Sequence, residues 1–208
     1  MSGIDYKRFH RVLTRSEELG VAPDARQVVS RVYADVLKAA AAAFLGAHKS
    51  VVAGESAAGK EGTEAAAALE SIDRPYREAR AVALAYVPTL RVPDTLKRQP
   101  TDTDKMTAIE ALLDAIDDHV GSAWADDIVN GEFGKLAPQV VKEINESIDA
   151  NKDLANAKQA RAAAYGPAYE KYLAFKRVVR AAHGPASKEY KRIHLRASGA
   201  AEDDGAEG

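Results

Sequence analysis

Apolar residues along this chain recur at intervals of three and four, which is the spacing of a helix that buries one face. Residues 103–129 show the pattern most clearly, with 4-3-4-3 steps between Ile109, Leu113, Ile116, Val120 and Ala123. Such steps are typical of the seam of a left-handed bundle or coiled coil. β-Branched and aromatic residues rarely alternate with period two, so no segment favours a strand. The pattern predicts an all-α protein.

We predict four long helices arranged as two helical hairpins, with a short helix at each end of the chain. The short helices are expected at about residues 5–19 and 187–195. The long helices are expected at about residues 24–46, 63–87, 103–129 and 138–182. Asp24 is followed three residues later by Gln27, the spacing of a capping box, and this pair marks the start of the second helix.

Glycine and proline predict where these helices end. The helix that begins near residue 24 is expected to stop at Gly46 and at the glycine-rich residues 54–62, because glycine is a poor helix former. Pro75 lacks a backbone donor, so a kink or a break is expected there. Residues 88–100 carry three prolines and predict an extended crossover.

Two later glycine positions interrupt the second hairpin. Gly131 and Gly134 predict a tight turn between its two helices. The Gly166-Pro167 pair interrupts the last long helix in sequence, although the apolar periodicity carries across it. The sequence leaves open whether that helix bends or continues there.

Composition adds the domain count and the expected location. The chain has 208 residues, of which 46% are hydrophobic, enough for one substantial core. We therefore predict a single domain over residues 1–196 and a disordered acidic tail over 197–208. The absence of cysteine excludes thiol chemistry and fits a reducing compartment. With no apolar signal segment and no run approaching 20 apolar residues, a cytoplasmic protein is expected.

The net charge is only −2, yet charge is distributed unevenly. Residues 102–153 hold thirteen Asp and Glu against four Lys, whereas residues 169–196 hold eight Lys and Arg against two Glu. The simplest interpretation is that acidic and basic helices lie near each other. A basic surface that binds a polyanion is the sharper hypothesis.

Residues 54–60 match the first seven positions of a phosphate-binding Walker A loop, with Gly54, Gly59 and Lys60 in place. The eighth position should carry a hydroxyl for magnesium, and here it is Glu61. The loop should also follow a buried strand, which the alanine-rich surroundings do not favour. We interpret the segment as a flexible connection between two helices, with nucleotide binding as a hypothesis.

Metal binding and hydrolysis find little support. No histidine follows an acidic residue at the Glu-x-x-His spacing of a di-iron bundle. The cluster of Asp114, Asp117, Asp118 and His119 is interpreted as a solvated polar face. No Gly-x-Ser-x-Gly motif is present either. We therefore expect no catalytic residue, no metal and no cofactor.

The C-terminal region is the candidate for polyanion contact, because its basic side chains recur at helical spacing and could neutralise phosphates. The candidate residues are Lys176, Arg177, Arg180, Lys188, Lys191 and Arg192. Interleaved tyrosines could stack on bases. However, Tyr165, Tyr169 and Tyr172 lie on the apolar seam and are predicted to be core residues, and the overall pI of about 6.2 is low for a nucleic-acid binder.

Residues 178–190, VVRAAHGPASKEY, resemble the ending of uncharacterised bacterial all-helical proteins, in which a basic helix closes in a Gly-x-x-Ser-x-Glu-Tyr element. The resemblance covers 13 of 208 residues. It implies a helical fold of unknown function and carries over no catalytic residue. Physically, Gly184 ends one helix, Pro185 prevents its continuation and Ser187 can cap the next.

Three functional hypotheses follow. The first is a non-enzymatic structural or protein-interaction bundle that associates with itself or with another helical protein. The second is nucleic-acid or other polyanion binding through the basic C-terminal helices. The third is nucleotide binding around Lys60 in residues 54–61. No membrane partner is expected.

Overall fold

The computed structural model describes residues 5–195, and within that range it contains helices, turns and irregular segments but no strand. The all-α prediction is therefore confirmed. The tail predicted to be disordered, residues 197–208, lies outside the described residues. The α-helices are α1 (Tyr6–Val21), α2 (Gln27–Val32), α3 (Lys38–Tyr86), α4 (Asp102–Asp117), α5 (Ala123–Asn130), α6 (Glu132–His183) and α7 (Lys188–Arg192). A π-helical segment (Tyr33–Leu37) joins α2 to α3, and a 3-10 turn (Leu96–Arg98) precedes α4.

The structure has two long helices, α3 and α6, whereas four were predicted. The four-helix arrangement of two hairpins is therefore not confirmed. α3 continues through residues 54–62, so the helix end predicted there is wrong, and it also continues through Pro75, where of the expected kink or break the break is not present. α6 likewise continues through Gly134 and through Gly166-Pro167. Alanine-rich flanks supply strong helix propensity near Gly59, Gly62 and Gly166, which reduces the cost of carrying these glycines.

Packing gives a second reason for the helix at Gly54. A Cβ atom on Gly54 would lie 3.3 Å from Cδ1 and 3.4 Å from Cα of Leu154 in α6. The missing side chain therefore lets the backbones of α3 and α6 approach closely at this point. Gly59 and Gly62 have no such neighbour within 4 Å, and they simply lower the local helix propensity.

The predicted helix 103–129 is divided in two. α4 ends at Asp117, and Gly121 then takes φ +93°, a conformation that favours glycine. The first part of the predicted seam is correct, because Ile109 and Ile116 are buried. Val120, which lies past the break, is 63% exposed.

Local capping explains several helix ends. Thr101 and Asp104 form a reciprocal capping box at the start of α4. Ser187 accepts a hydrogen bond from the Tyr190 backbone N–H, which confirms the expected cap of α7. Gly184 ends α6 with φ +92°. The capping box expected at Asp24 is wrong, because α2 begins at Gln27 after Arg26 and no side chain caps it.

The described chain divides into two compact units, and α3 and α6 contribute residues to both. We call the described residues 5–52 and 156–195 the basic unit, and residues 53–155 the acidic unit. The sequence prediction of one domain over 1–196 did not distinguish them. Each unit has its own cluster of buried apolar side chains.

Aromatic side chains dominate the core of the basic unit. The Phe9 ring lies 4.9 Å from the rings of both Phe44 and Tyr165, in edge-to-face contacts. The buried Tyr172 hydroxyl donates to the Ile193 carbonyl oxygen at 2.6 Å and so fixes the chain that follows α7. Gly20 packs directly on Tyr33, because a Cβ atom there would overlap the tyrosine side chain.

Mainly aliphatic residues of α3, α4 and α6 form the core of the acidic unit. Three side chains of α3 form hydrogen bonds with the predicted crossover 88–100 and hold it against the helix. The Tyr76 hydroxyl donates to the Pro93 carbonyl at 2.8 Å, and Arg80 Nε donates to the Val92 carbonyl at 3.2 Å. The Thr95 hydroxyl donates to the buried Asp73 carboxylate at 3.3 Å. Steps of three and four along α3 place Asp73, Tyr76 and Arg80 on one face.

Candidate functional site

The two units carry opposite net charges. The basic unit has 17 Lys and Arg against 7 Asp and Glu, a net charge of +10. The acidic unit has 11 Lys and Arg against 20 Asp and Glu, a net charge of −9. The net charge of the chain is small because the large charges of its two units have opposite signs and nearly cancel.

Basic side chains of the acidic unit are largely paired with carboxylates of the same unit. Seven of its eleven Lys and Arg residues form such ion pairs: Lys60, Arg74, Arg77, Lys97, Arg98, Lys105 and Lys142. Asp73 is the most enclosed of their partners, and both Arg77 and Lys97 reach its carboxylate, at 3.3 and 3.7 Å. The cations of this unit are mostly used in its own structure.

The six predicted polyanion contacts lie at the end of α6 and on α7, in the basic unit. Two are used internally: Arg192 donates to Glu18 at 2.9 Å, and Lys176 Nζ lies 5.7 Å from the centre of the Tyr190 ring. The other four are exposed and form no ion pair with any described residue. We call them the basic face: Arg177, Arg180, Lys188 and Lys191.

The tyrosines near this face are core residues, as predicted from the seam. Tyr172 is fully buried, and its burial raises the pKa of the phenol well above the usual value. Tyr165 and Tyr169 are partly buried and stack on each other at 5.6 Å, packed on the same core. They are not free to stack on bases, which leaves charge as the means by which the face can bind.

Residues 54–60 form part of α3, so the expected loop is absent and the backbone N–H groups belong to a helix. Lys60 Nζ lies 3.1 Å from Glu61 and 3.0 Å from Glu64, and hydrogen bonds to Glu64 and Glu61 raise its pKa. The groove beside it is lined by further carboxylates from α6. They are Glu143, Glu146, Asp149 and Asp153. The negative charge of these carboxylates repels a phosphate.

The same groove brings together three carboxylates that the sequence did not single out. Ligand oxygens of Glu61, Glu143 and Glu146 lie within 4.8 Å of one another, close enough to share a cation. Lys60 and Lys142 already pair with two of them. Glu61 and the other two are more than 80 positions apart along the chain, so no local motif could have predicted the group. The expected polar cluster at Asp114, Asp117, Asp118 and His119 is exposed.

Comparison with family models, curated proteins and solved structures finds no match for this chain. Within residues 5–195, no helix combines the length and the apolar character that crossing a membrane requires. Fold and site therefore define this molecule only as an all-α protein with two oppositely charged units.

Proposed function

We propose that this chain is a non-enzymatic interaction module that associates with further copies of itself, the basic unit of one copy contacting the acidic unit of another. The observation that carries the proposal is the separation of charge into units of +10 and −9. Complementary potentials on two surfaces accelerate their encounter and fix their orientation. A basic surface and an acidic surface on the same chain supply both halves of such a contact.

The contact would be heterologous, since two different surfaces of the same chain meet. Heterologous contacts form closed rings or open chains, so the mass should rise with concentration. Both units keep charge for this contact: the basic face is unpaired, and the carboxylates of the acidic unit exceed its cations by nine. The expected cytoplasmic location and reducing environment are part of the same proposal.

Light scattering at about 0.01 M and about 1 M salt tests the proposal, because the Debye length falls from roughly 30 Å to roughly 3 Å between them. We expect the mass to increase with protein concentration at low salt and to return to that of one chain at high salt. A mass of one chain at every concentration at low salt would contradict self-association.

Polyanion binding is the second candidate, and the unpaired basic face is the observation that favours it. The objection from the overall pI weakens, because that value averages the two units. With the tyrosines in the core, binding would rest on phosphate contacts and would show little sequence preference. Duplex and single-stranded DNA titrated at several salt concentrations test it: steep salt dependence is expected, and no binding at about 0.01 M salt would eliminate it.

Nucleotide binding at residues 54–61 is the weakest of the three hypotheses. The helical backbone there and the carboxylates around Lys60 both disfavour a bound phosphate. Titration with ATP and Mg²⁺ would revive this hypothesis if binding were found and then lost in Lys60→Ala.

A further inference from the structure

An apolar groove lies in the acidic unit between the C-terminal part of α3, helix α5 and the start of α6. Its volume is about 400 Å³, within the range of small-molecule sites. Its apolar walls include Ala79 and Val82 of α3, Trp124 and Ile128 of α5, and Phe133 of α6. All of these residues belong to the acidic unit, so one unit builds the whole groove.

Of the aromatic side chains at this groove, Tyr86 is exposed and Trp124 is partly exposed, whereas Phe133 is buried. Tyr86 and Trp124 stack with ring centres 5.1 Å apart and planes 6° apart, yet Tyr86 is 62% exposed. Val82, one turn earlier on α3, is 40% exposed. Exposed aromatic and aliphatic surface in a concave position is typical of a binding site.

Every charged residue that lines the groove is acidic. Glu78, Asp127 and Glu132 are exposed at its rim, and no Lys, Arg or His is among the lining residues. Arg74 pairs with Glu78 at 2.8 Å. Asp127 and Glu132 form no ion pair with any described residue. Arg74 also interacts electrostatically with Glu132, so Asp127 is the rim carboxylate farthest from compensation, and the rim as a whole stays negative beside aromatic rings.

We propose that this groove binds a small organic cation with an apolar body, of the aralkylammonium class. Apolar walls favour the hydrocarbon part of such a ligand. The ring faces of Tyr86 and Trp124 that do not stack on each other attract a cation by their quadrupoles, and Asp127 and Glu132 compensate its charge. An anion of the same shape meets two carboxylates, and a neutral analogue gains nothing from them.

Trp124 is the only tryptophan of the chain, so its fluorescence reports on this groove directly. The probes are benzyltriethylammonium, its neutral analogue benzyl alcohol and the anion benzenesulfonate. We expect a saturable change in fluorescence with the cation, and affinities at least about tenfold weaker with the other two, which corresponds to about 1.4 kcal/mol. Equal affinity for the cation and the alcohol would overturn the proposal.

A pair of variants separates the rim carboxylates from the general negative charge of the unit. Asp127→Asn with Glu132→Gln should weaken cation binding about tenfold and leave binding of the alcohol unchanged. The matched control is Asp114→Asn with Asp118→Asn, which removes two exposed carboxylates of the same unit outside the groove. An equal loss in both double variants would show attraction by net charge alone and would contradict a site.

A third variant tests the groove independently, in case the double variant Asp127→Asn with Glu132→Gln perturbs folding. Val82→Arg places a guanidinium in the groove from a position that is already partly exposed. It should abolish cation binding while the circular dichroism spectrum stays helical. Unchanged cation binding in this folded variant would overturn the proposal.

Discussion

The basic and the acidic unit use their Lys and Arg side chains in opposite ways. In the acidic unit most Lys and Arg residues pair with carboxylates of the same unit, and one of these carboxylates, Asp73, is buried. In the basic unit Arg177, Arg180, Lys188 and Lys191 stay exposed and unpaired. Charge that is paired internally supports a fold, whereas unpaired charge on a surface is available for a partner.

The cores of the two units differ in a related way. Aromatic rings from α1, α3 and α6 pack together in the core of the basic unit, and the tyrosines of α6 take part in that packing. In the acidic unit aliphatic residues predominate and Tyr76 and Phe133 are the buried aromatics, while Tyr86 is exposed and Trp124 is partly buried at the edge of the core. The basic unit therefore offers charge without aromatic faces, and the acidic unit offers aromatic faces beside negative charge.

The largest effect is expected from Gly20→Ala, because the added methyl group would overlap the Tyr33 side chain in the basic unit. Overpacking of this kind costs up to about 3 kcal/mol. Urea unfolding followed by circular dichroism reports on both units, and Trp124 fluorescence reports on the acidic unit alone. If the units unfold separately, the urea midpoint from circular dichroism decreases and the midpoint from Trp124 fluorescence does not change.

Equal shifts of both probes would mean that the two units unfold as one domain, as the sequence predicted. No shift in either probe would contradict the close packing of Gly20 on Tyr33.

Alkaline pH should weaken the acidic unit through Tyr76. Burial raises the pKa of its phenol from 10.0 to about 12, so the folded state favours the neutral form. The stability that this provides is present below pH 10 and is lost as pH rises through 12. Two pKa units correspond to about 2.7 kcal/mol at most. Urea midpoints from Trp124 fluorescence, measured between pH 8 and pH 12, check this.

Tyr76→Phe is the matched variant. It loses the hydrogen bond to the Pro93 carbonyl and about 1 kcal/mol at neutral pH. It should then lose less stability than the parent above pH 10. An identical pH dependence in the two proteins would mean that Tyr76 is not the titrating group.

Removing the charge of the basic face should reduce binding of DNA without unfolding the chain. The fourfold variant replaces Arg177, Arg180, Lys188 and Lys191 by Gln. If each of the four contacts one phosphate, the slope of log affinity against log salt on duplex DNA falls by about 3 to 4. Under the self-association proposal, the low-salt mass of this variant also decreases.

The control for the basic face neutralises four other exposed cations of the same unit: Arg15, Arg26, Arg31 and Lys38. It matches the change in net charge and leaves α6 and α7 intact. Equal effects of the two fourfold variants would mean that the charge of the whole unit matters and that the face is not a specific contact.

The smallest effect is expected from the glycines of α3 in the acidic unit. Gly59→Ala adds a methyl group in open space, so we expect a gain of about 0.5–1 kcal/mol from helix propensity. Gly54→Ala gains the same propensity but meets Leu154 at 3.3 Å, which should cancel most of it. Thermal unfolding of the two variants decides this, and equal stabilisation would refute the close approach at Gly54.

Particular elements show how much of the fold local sequence predicted. The caps at Gly184 and Ser187 and the start of α4 follow from residue types within one turn, and they were predicted correctly or nearly so. The break at residues 54–62 was predicted from the same kind of signal and is not present, and the question left open at Gly166-Pro167 is answered by a continuous helix. Propensity is a weak term that flanking alanine and contacts such as that of Gly54 with Leu154 override.

Candidate sites show the same limit. The residues of the basic face could be singled out, because two pairs at i, i+3 spacing lie within the 15 positions from Arg177 to Lys191. The carboxylate group of Glu61, Glu143 and Glu146 and the groove at Trp124 could not be predicted, because each is built from segments far apart in sequence. Only packing of α3 against later helices brings such residues together.

The sequence by itself determined that the chain is helical, that Ser187 caps its last helix and that Tyr165, Tyr169 and Tyr172 pack on the core. These features depend on periodicity and on interactions within one or two helical turns, and a short stretch of sequence contains both. Tertiary structure decided that α3 and α6 are continuous, that charge separates into two units, and that aromatic rings meet carboxylates in one groove. These depend on which distant segments pack together, and the free energy of that packing exceeds the local preferences of glycine and proline.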